Sequence, residues 1–405
     1  MYSSNLIPVE NALKLIESVK ITLKKEDIPL EEANTRVLAE NIEVLIDVPP
    51  FDRSAMDGYA VIAEDTVMAS KSNPIYLEVI DEIGAGSVSN HTLSQGQAIR
   101  IATGAPMPPG SNAVVMEEDI EHIDNKIKIT KNVAFNRDVA LKGEDLKKGE
   151  IILKEGQILD PNHLSVIASS GYSRVKVFKK PEVGVIITGN ELVDPTTNLE
   201  PGKIVNSNRF ALKGLVEDSL AVPYIKHCRD DLDTMINELQ EYAQKYDVVI
   251  TTGGTAISKG DVVVSATSKL GEVLVHGVAI KPGKPVGFGV VNNKPVFMLS
   301  GYPVAAAVQF DIFARNYILK MQNIYKKFDL IECTTGDDIR SSKGKCNIIR
   351  AKLEEDLVYP IKTKAGINKS AVLSNCYIFI DEDTKDIKKG EKCNILKYSS
   401  LKVFE

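Results

Sequence analysis

No apolar run in this chain approaches the ~18 residues that a membrane-spanning helix needs. The first residues, Met1-Tyr-Ser-Ser-Asn-Leu-Ile-Pro8, show no basic stretch followed by an apolar one, so no secretory signal peptide is expected. Cysteine is sparse: Cys228, Cys333, Cys346, Cys376 and Cys393 form an odd set with no C-x-x-C spacing. That argues against a zinc site and against a disulfide framework. The five histidines are scattered, with no pair at metal-ligand spacing, and no repeat or low-complexity tract appears. Neither sign of charge dominates. Lys+Arg number 49 against 55 Asp+Glu, a net −6, which argues against a general nucleic-acid binder and makes any anion site a local one. These absences leave a protein of the reducing cytoplasm, with neither nucleic acid nor membrane as partner.

What is present is enough apolar material, 43% of 405 residues, for two to four domains. Residues 9–20 read as an amphipathic helix with Val9, Ala12, Leu13, Ile16 and Val19 on one face. A short helix and an extended piece follow over 27–47, and Asp47-Val-Pro-Pro-Phe-Asp52 breaks regular structure. From 58 to 140, short strands with Gly/Pro punctuation predict a small β-rich domain. From Val183 the pattern changes. Strand Val183–Thr188 is followed by helices 208–219 and 230–244 and strand Asp247–Thr251. Strands 273–280 and 295–299 and an apolar helix over 303–322 come next. Alternating strands and helices imply a parallel sheet covered on both faces. Ligands of such sheets bind at the carboxyl ends of the strands, where glycine-bearing turns follow Thr188, Thr252 and Leu299. Residues 328–405 return to short strands with lysine-rich turns, as a small β-barrel would.

The most informative segment runs from Val278 to Gly289. It puts the ammonium groups of Lys281 and Lys284 on a turn stiffened by Pro282 and Pro285, and Gly283 admits a ligand to the backbone. This suits a compact anion; the plainer alternative is a solvated basic turn. Glu191, in Thr188-Gly-Asn-Glu-Leu192, and Asp261, after the Gly253–Gly260 loop, place two carboxylates at one sheet edge. Hard oxygens there suit Mg²⁺ shared with a phosphate, although each could simply cap a helix. Asp231 is first of all a helix cap, yet it faces the same edge. Ser54-Ala-Met-Asp57-Gly58 is a turn by itself, but Asp52, Arg53 and Asp57 beside Met56 exceed what a turn requires. Arg100-Ile-Ala-Thr103-Gly-Ala-Pro106 offers a hydroxyl and free amides. Lys142-Gly-Glu-Asp145 reads as a surface turn.

Taken in order, these motifs resemble one family over nearly the whole chain: the molybdopterin molybdenumtransferases, meaning the MoeA-type proteins and the E domain of gephyrin. The resemblance rests on Pro50-Phe-Asp-Arg-Ser-Ala-Met-Asp-Gly-Tyr-Ala60, Thr103-Gly-Ala-Pro106, Ala113-Val-Val-Met-Glu-Glu118 and Gly143-Glu-Asp145. It continues through Thr188-Gly-Asn-Glu-Leu192, Gly253-Gly254 with Asp261, Lys281-Pro-Gly-Lys-Pro285, and Gly301 with Pro303. It implies a multidomain α/β plus β protein that works as an elongated homodimer. An extended linker domain would comprise 1–45 with 145–178, and an inserted β-rich domain 46–144. A three-layer α/β molybdopterin-binding domain with a mostly parallel sheet would span 179–326, and a C-terminal β-barrel 327–405.

The implied reaction inserts molybdate into adenylylated molybdopterin and releases AMP, with Mg²⁺ on the pyrophosphate held by Glu191 and Asp261. Lys281 and Lys284 would cradle the oxyanion. Gly253, Gly254 and Thr255 would offer backbone amides. Asp57 and Thr103 would reach the site from the partner subunit, and Asp231 would join the catalytic set. Ser54, Thr188, Gly189, Asn208, Ser258, Gly301, Pro303 and Arg350 would contact substrate. Other cofactor-biosynthesis proteins are possible partners.

The chain departs from the family pattern in places. Ser300-Gly-Tyr-Pro303 replaces Pro-Gly-Asn-Pro, and Asn206-Ser-Asn208 replaces Asp-Ser/Thr-Asn. Ala256 stands where serine is usual, and Ser258 where glycine is. Lys364-Ala-Gly366 replaces a barrel Gly-Ser-Gly. These changes bear on the oxyanion, molybdate or tungstate, more than on the reaction class. Two rivals remain. One is the adenylyltransferase that activates molybdopterin, a single α/β domain that would leave 58–140 and 328–405 unexplained. The other is a non-catalytic pterin-binding scaffold.

Overall fold

The computed structural model describes residues 6–196, 198–254, 261–361, 368–401 and 403. The chain divides into two compact units, residues 27–177 and residues 1–26 with 178–405.

In the first unit, six strands form a mixed sheet in the spatial order Ala113–Met116, Gly58–Val61, Gln97–Ile101, Ile75–Ile83, Lys126–Ile129, Ile120–Ile123. Only the pairing of Ile75–Ile83 with Gln97–Ile101 is parallel. Tyr59, Val61, Leu77 and Ile127 fill one side of this sheet, Ala60, Ile99 and Ile101 the other, as period-two alternation requires. Gly58 cannot be replaced freely: a Cβ there would lie 2.0 Å from the Val115 carbonyl oxygen. A separate core of Leu38, Ile42, Leu159, Ile167 and Val177 packs around the helix Pro161–Ser169. Asp160 and His163 close that helix in a reciprocal capping box.

The second unit contains a six-stranded sheet in the order Val222–Cys228, Glu182–Thr188, Val248–Thr252, Lys294–Leu299, Gly287–Val291, Gly271–His276. The first four strands are parallel, and Gly287–Val291 alone is reversed, antiparallel to both Lys294–Leu299 and Gly271–His276. Val185, Ile187, Val248 and Ile250 face the helices Asn208–Glu217 and Pro303–Gln309. Ile186, Val249, Val296 and Met298 face Leu232–Lys245 and Val262–Leu270. Apolar residues at successive positions are therefore read as continuous runs because both faces are covered. The helix Val9–Ser18 buries Ala12 and Ile16 in the first of these cores. Its i, i+4 stripe thus packs against the α/β layer.

Two elements end earlier or change form relative to the sequence expectation. The strand expected over 273–280 stops at His276, because Gly277 turns to φ 93°. Ile280–Lys281 then pairs in parallel with the barrel strand Cys346–Glu354. The helix expected over 303–322 runs Pro303–Gln309, takes a π turn over Phe310–Ala314, and resumes over Arg315–Lys320.

The C-terminal part is a closed barrel, five strands among the described residues. Cys346–Glu354 pairs with both Leu357–Pro360 and Cys376–Ile380. Lys392–Lys397 joins Cys376–Ile380 to Ile331–Thr335, which closes onto Leu357–Pro360. Ala351, Val358, Ile378 and Ile395 fill it. Among the described residues no helix is long and apolar enough to cross a membrane.

Candidate active site

Three parallel strands end side by side at Thr188, Thr252 and Leu299. The chain turns sharply beyond them. Gly253 has φ 89° and Gly254 φ 60°, left-handed conformations that a side chain would strain. A Cβ on Gly253 would also sit 2.1 Å from the Thr188 carbonyl oxygen, and one on Gly301 would sit 3.4 Å from Gly253 Cα. Asn208, at the start of its helix, donates from Nδ2 to the Gly301 carbonyl at 2.9 Å and to Thr252 Oγ1 at 3.1 Å. Thr252 Oγ1 in turn donates to the Ser300 carbonyl at 2.8 Å. Asn208 Oδ1 is buried with no hydrogen-bond partner among the described residues, an acceptor available to a ligand. Thr188, Gly253, Gly254, Asn208 and Gly301 are thus brought together. Pro303 opens its helix at the first position, where its missing N–H costs nothing. Thr255 and Ser258 lie outside the described residues.

The carboxylates divide their duties. Asp231 is the N-cap of Leu232–Lys245, accepting from Thr234 N at 2.9 Å. That backbone hydrogen bond, with the Thr234 side chain, holds its carboxyl below the usual range. Asp230 is the one that faces the loops. Its Oδ1 accepts from Thr188 Oγ1 at 3.2 Å, and a Cβ on Gly254 would lie 3.0 Å from it. The sequence reading chose Asp231. The signal for Asp230 was indirect: its neighbour is committed to the cap. Asp261, 5% exposed, caps Val262–Leu270 by accepting from Val264 N at 2.9 Å, and its Oδ2 lies 3.8 Å from His276 Nε2. The exposed Glu191 folds its carboxylate back on Gly189, where a Cβ would lie 2.9 Å from Oε1. His227 Nε2 meets the Gly189 carbonyl at 2.9 Å. No group of three or more His, Cys, Asp or Glu among the described residues could hold a metal ion. These donors do not make an all-protein cage. They are chemically suited to Mg²⁺ held largely by substrate phosphates, which takes one or two carboxylates.

A cavity of about 920 Å³ lies between the Lys281 turn and the barrel, lined by Lys281, Gly283, Arg340, Asn347, Arg350 and Ser370 among others. Lys281 Nζ donates to Ser342 Oγ at 2.7 Å. Arg350 is 8% exposed, reaches Ser370 Oγ at 3.4 Å through Nη1, and keeps Nε buried without a partner among the described residues. A buried guanidinium with an unused donor is prepared for an anion. Lys284 is exposed and is not among the lining residues; its carbonyl accepts from Val278 N at 3.2 Å and Val286 N at 3.0 Å and so shapes the turn. Gln309, fully buried, ties the region together. Its Nε2 donates to the Gly283 carbonyl and its Oε1 accepts from Ser300 N at 2.7 Å. Sequence reasoning missed Gln309, since neither Ser300 nor Gly283 lies at a spacing that local periodicity brings together. The segment Lys364-Ala-Gly366 lies outside the described residues.

In the other unit, Asp57 and Thr103 meet directly. Asp57 Oδ1 accepts from Thr103 N at 2.7 Å and from Thr103 Oγ1 at 2.9 Å. These two bonds hold the exposed Asp57 carboxyl below the usual range. Ser54 is buried and clasps Met56, its Oγ accepting from Met56 N at 3.3 Å. It shapes the loop that presents Asp57.

The fold and this edge define an α/β protein that presents glycine-lined strand ends beside an appended barrel, and comparison with known proteins gives its family. Residues 7–171 match the family described as MoeA N-terminal region (domain I and II). Residues 184–320 match "Probable molybdopterin binding domain", and 332–398 match MoeA C-terminal region (domain IV). A Methanocaldococcus jannaschii protein named for molybdopterin biosynthesis is 37% identical, over 96% of this chain and 98% of its own. A Staphylococcus aureus protein named molybdopterin molybdenumtransferase is 36% identical, over 97% and 96%. The solved molybdopterin biosynthesis MoeA protein from Pyrococcus horikosii superposes with a TM-score of 0.86 at 35% identity, covering 97% of this chain and 99% of that one. The chain belongs to the MoeA family, a family of metal-inserting transferases.

Proposed function

We propose that this chain is a molybdopterin molybdenumtransferase that joins molybdate to the dithiolene of adenylylated molybdopterin and releases AMP. The observation that carries this reading is the link through Gln309. It fastens the cation-bearing Lys281 turn to Ser300 at the glycine-lined strand edge, so an oxyanion pocket adjoins a place where backbone can approach a phosphate. Lys281 and Arg350 hold the oxyanion, with Lys284 fixing the turn. The amides at Gly253 and Gly254 and the orphan acceptor of Asn208 orient the pterin nucleotide, with Thr188, Gly189 and Gly301 at the same edge. Glu191 and Asp261 would hold Mg²⁺. Bound there, the ion would supply neutralisation of phosphate charge.

Asp57 and Thr103, arriving from the partner subunit, and Asp231, as the helix cap beside Asp230, complete the expected set in a homodimer of the reducing cytoplasm. The four-part division 1–45 with 145–178, 46–144, 179–326 and 327–405 belongs to the same proposal.

AMP release measured with molybdate, with tungstate and with neither tests the reading. Oxyanion-dependent, catalytic AMP release is expected. ATP-dependent adenylylation instead would make the chain an adenylyltransferase. Stoichiometric binding without AMP would make it a carrier.

A further inference from the structure

The oxyanion cavity has two walls, and both are fastened to one helical segment. Gln309 and Asp311 sit two residues apart where the helix passes into its π turn. Residues so spaced point to nearly opposite sides of a helix. Gln309 reaches the Gly283 carbonyl and so holds the Lys281 turn. Asp311 points to the barrel. Its Oδ2 accepts from the Tyr377 hydroxyl at 2.8 Å, while its Oδ1 is held by Arg315, at 2.9 Å from Nε and 2.8 Å from Nη2. Asp311, Arg315 and Tyr377 are 4%, 3% and 2% exposed. Burial and the Asp311 charge push the Tyr377 phenol well above its ordinary pKa, so it stays a donor. Tyr377 is the cross-strand partner of Arg350, which places the two side chains on one face.

A buried ion pair is a poor device for stability alone, because desolvation offsets the attraction. Apolar packing would hold the barrel as firmly. What a hydrogen-bonded network adds is fixed direction. We infer that Asp311, acting through the Tyr377 hydroxyl, and Gln309, acting through Gly283, are positioning residues that set the gap between Arg350 and the Lys281 turn, and with it the oxyanion affinity of the cavity. The inference rests on assigning that cavity to the oxyanion.

A double-mutant cycle separates the inference from the assignment. Tyr377→Phe, Arg350→Ala and the double variant are compared by the molybdate concentration giving half-maximal AMP release, by the KM for the pterin adenylate, and by thermal midpoint. Tyr377→Phe should raise the molybdate requirement about five- to tenfold and leave the pterin KM unchanged. The double variant should be no worse than Arg350→Ala. Additive effects, or a lower midpoint with an unchanged molybdate requirement, overturn the positioning role while leaving the cavity assignment intact. An Arg350→Ala variant with wild-type molybdate dependence overturns the assignment and the inference together. Should Tyr377→Phe fail to fold, Gln309→Met against Lys281→Ala runs the same cycle from the other wall, with the same outcomes deciding.

Discussion

Asp230 and Asp231 are adjacent and do different work, and a pair of substitutions should separate them. Asp231→Ala removes the acceptor for Thr234 N, so the thermal midpoint should fall while kcat/KM of the folded protein holds. Asp230→Ala removes the group beside Thr188 and Gly254. AMP release should fall with little change in midpoint. The reverse pattern would return the site role to Asp231. Glu191→Gln and Asp261→Asn keep shape but remove the charge a hard cation prefers. Both should shift the Mg²⁺ titration to higher concentration; identical titrations would leave Asp261 a helix cap and Glu191 a surface acid. Lys281→Ala should raise the molybdate requirement about tenfold or more, since a charge-assisted contact is worth ~1.5–3 kcal/mol. Lys284→Ala should act less, because Lys284 does not line the cavity. Wild-type molybdate dependence in the Lys281 variant would remove that lysine from the cradle.

Elements differ in how openly the sequence announces them. Glu182–Thr188 and Val248–Thr252 are legible because strands covered on both faces have little room for polar residues. The Gly253-Gly254 turn is legible because only glycine fits its backbone and the close approach to Thr188. The helix Val9–Ser18 is legible as a helix, but not its destination: a stripe of Ala12 and Ile16 states that something is covered, not what. Gln309 and Tyr377 are illegible for a related reason. They read as interior residues of an apolar helix and a strand, and their roles depend on Gly283, Ser300 and Asp311, set beside them by tertiary structure. Gly58 shows the converse, a glycine that reads as part of a turn and is in fact required by sheet packing. Gly58→Ala should lower stability by ~1–3 kcal/mol, the usual cost of overpacking, measured by urea denaturation. A loss below a few tenths of that would show that the Val115 strand yields easily.

For the whole molecule, the proposed homodimer makes the two units of one chain separable in function. Asp57 and Thr103 lie in one unit, while Asp261 and Lys281 lie in the other. An inactive Asp57→Ala chain mixed with an inactive Asp261→Ala chain, after mild denaturation and refolding, should regain activity. Each mixed dimer holds one intact site and one doubly damaged site. Random exchange makes half the dimers mixed, so recovery should approach about a quarter of wild type. Verified heterodimers no more active than their parents would mean that the site is built within one chain or that the dimer assignment fails. Modularity meets a limit at Ile280–Lys281, which pairs with the first long strand of the barrel. A chain cut after residue 326 would carry that strand as a bare edge, open to another chain. The barrel is therefore a poor candidate for exchange between relatives as a self-contained cassette. A graft that keeps its fold but mismatches this one seam would misplace the lysine it was meant to serve.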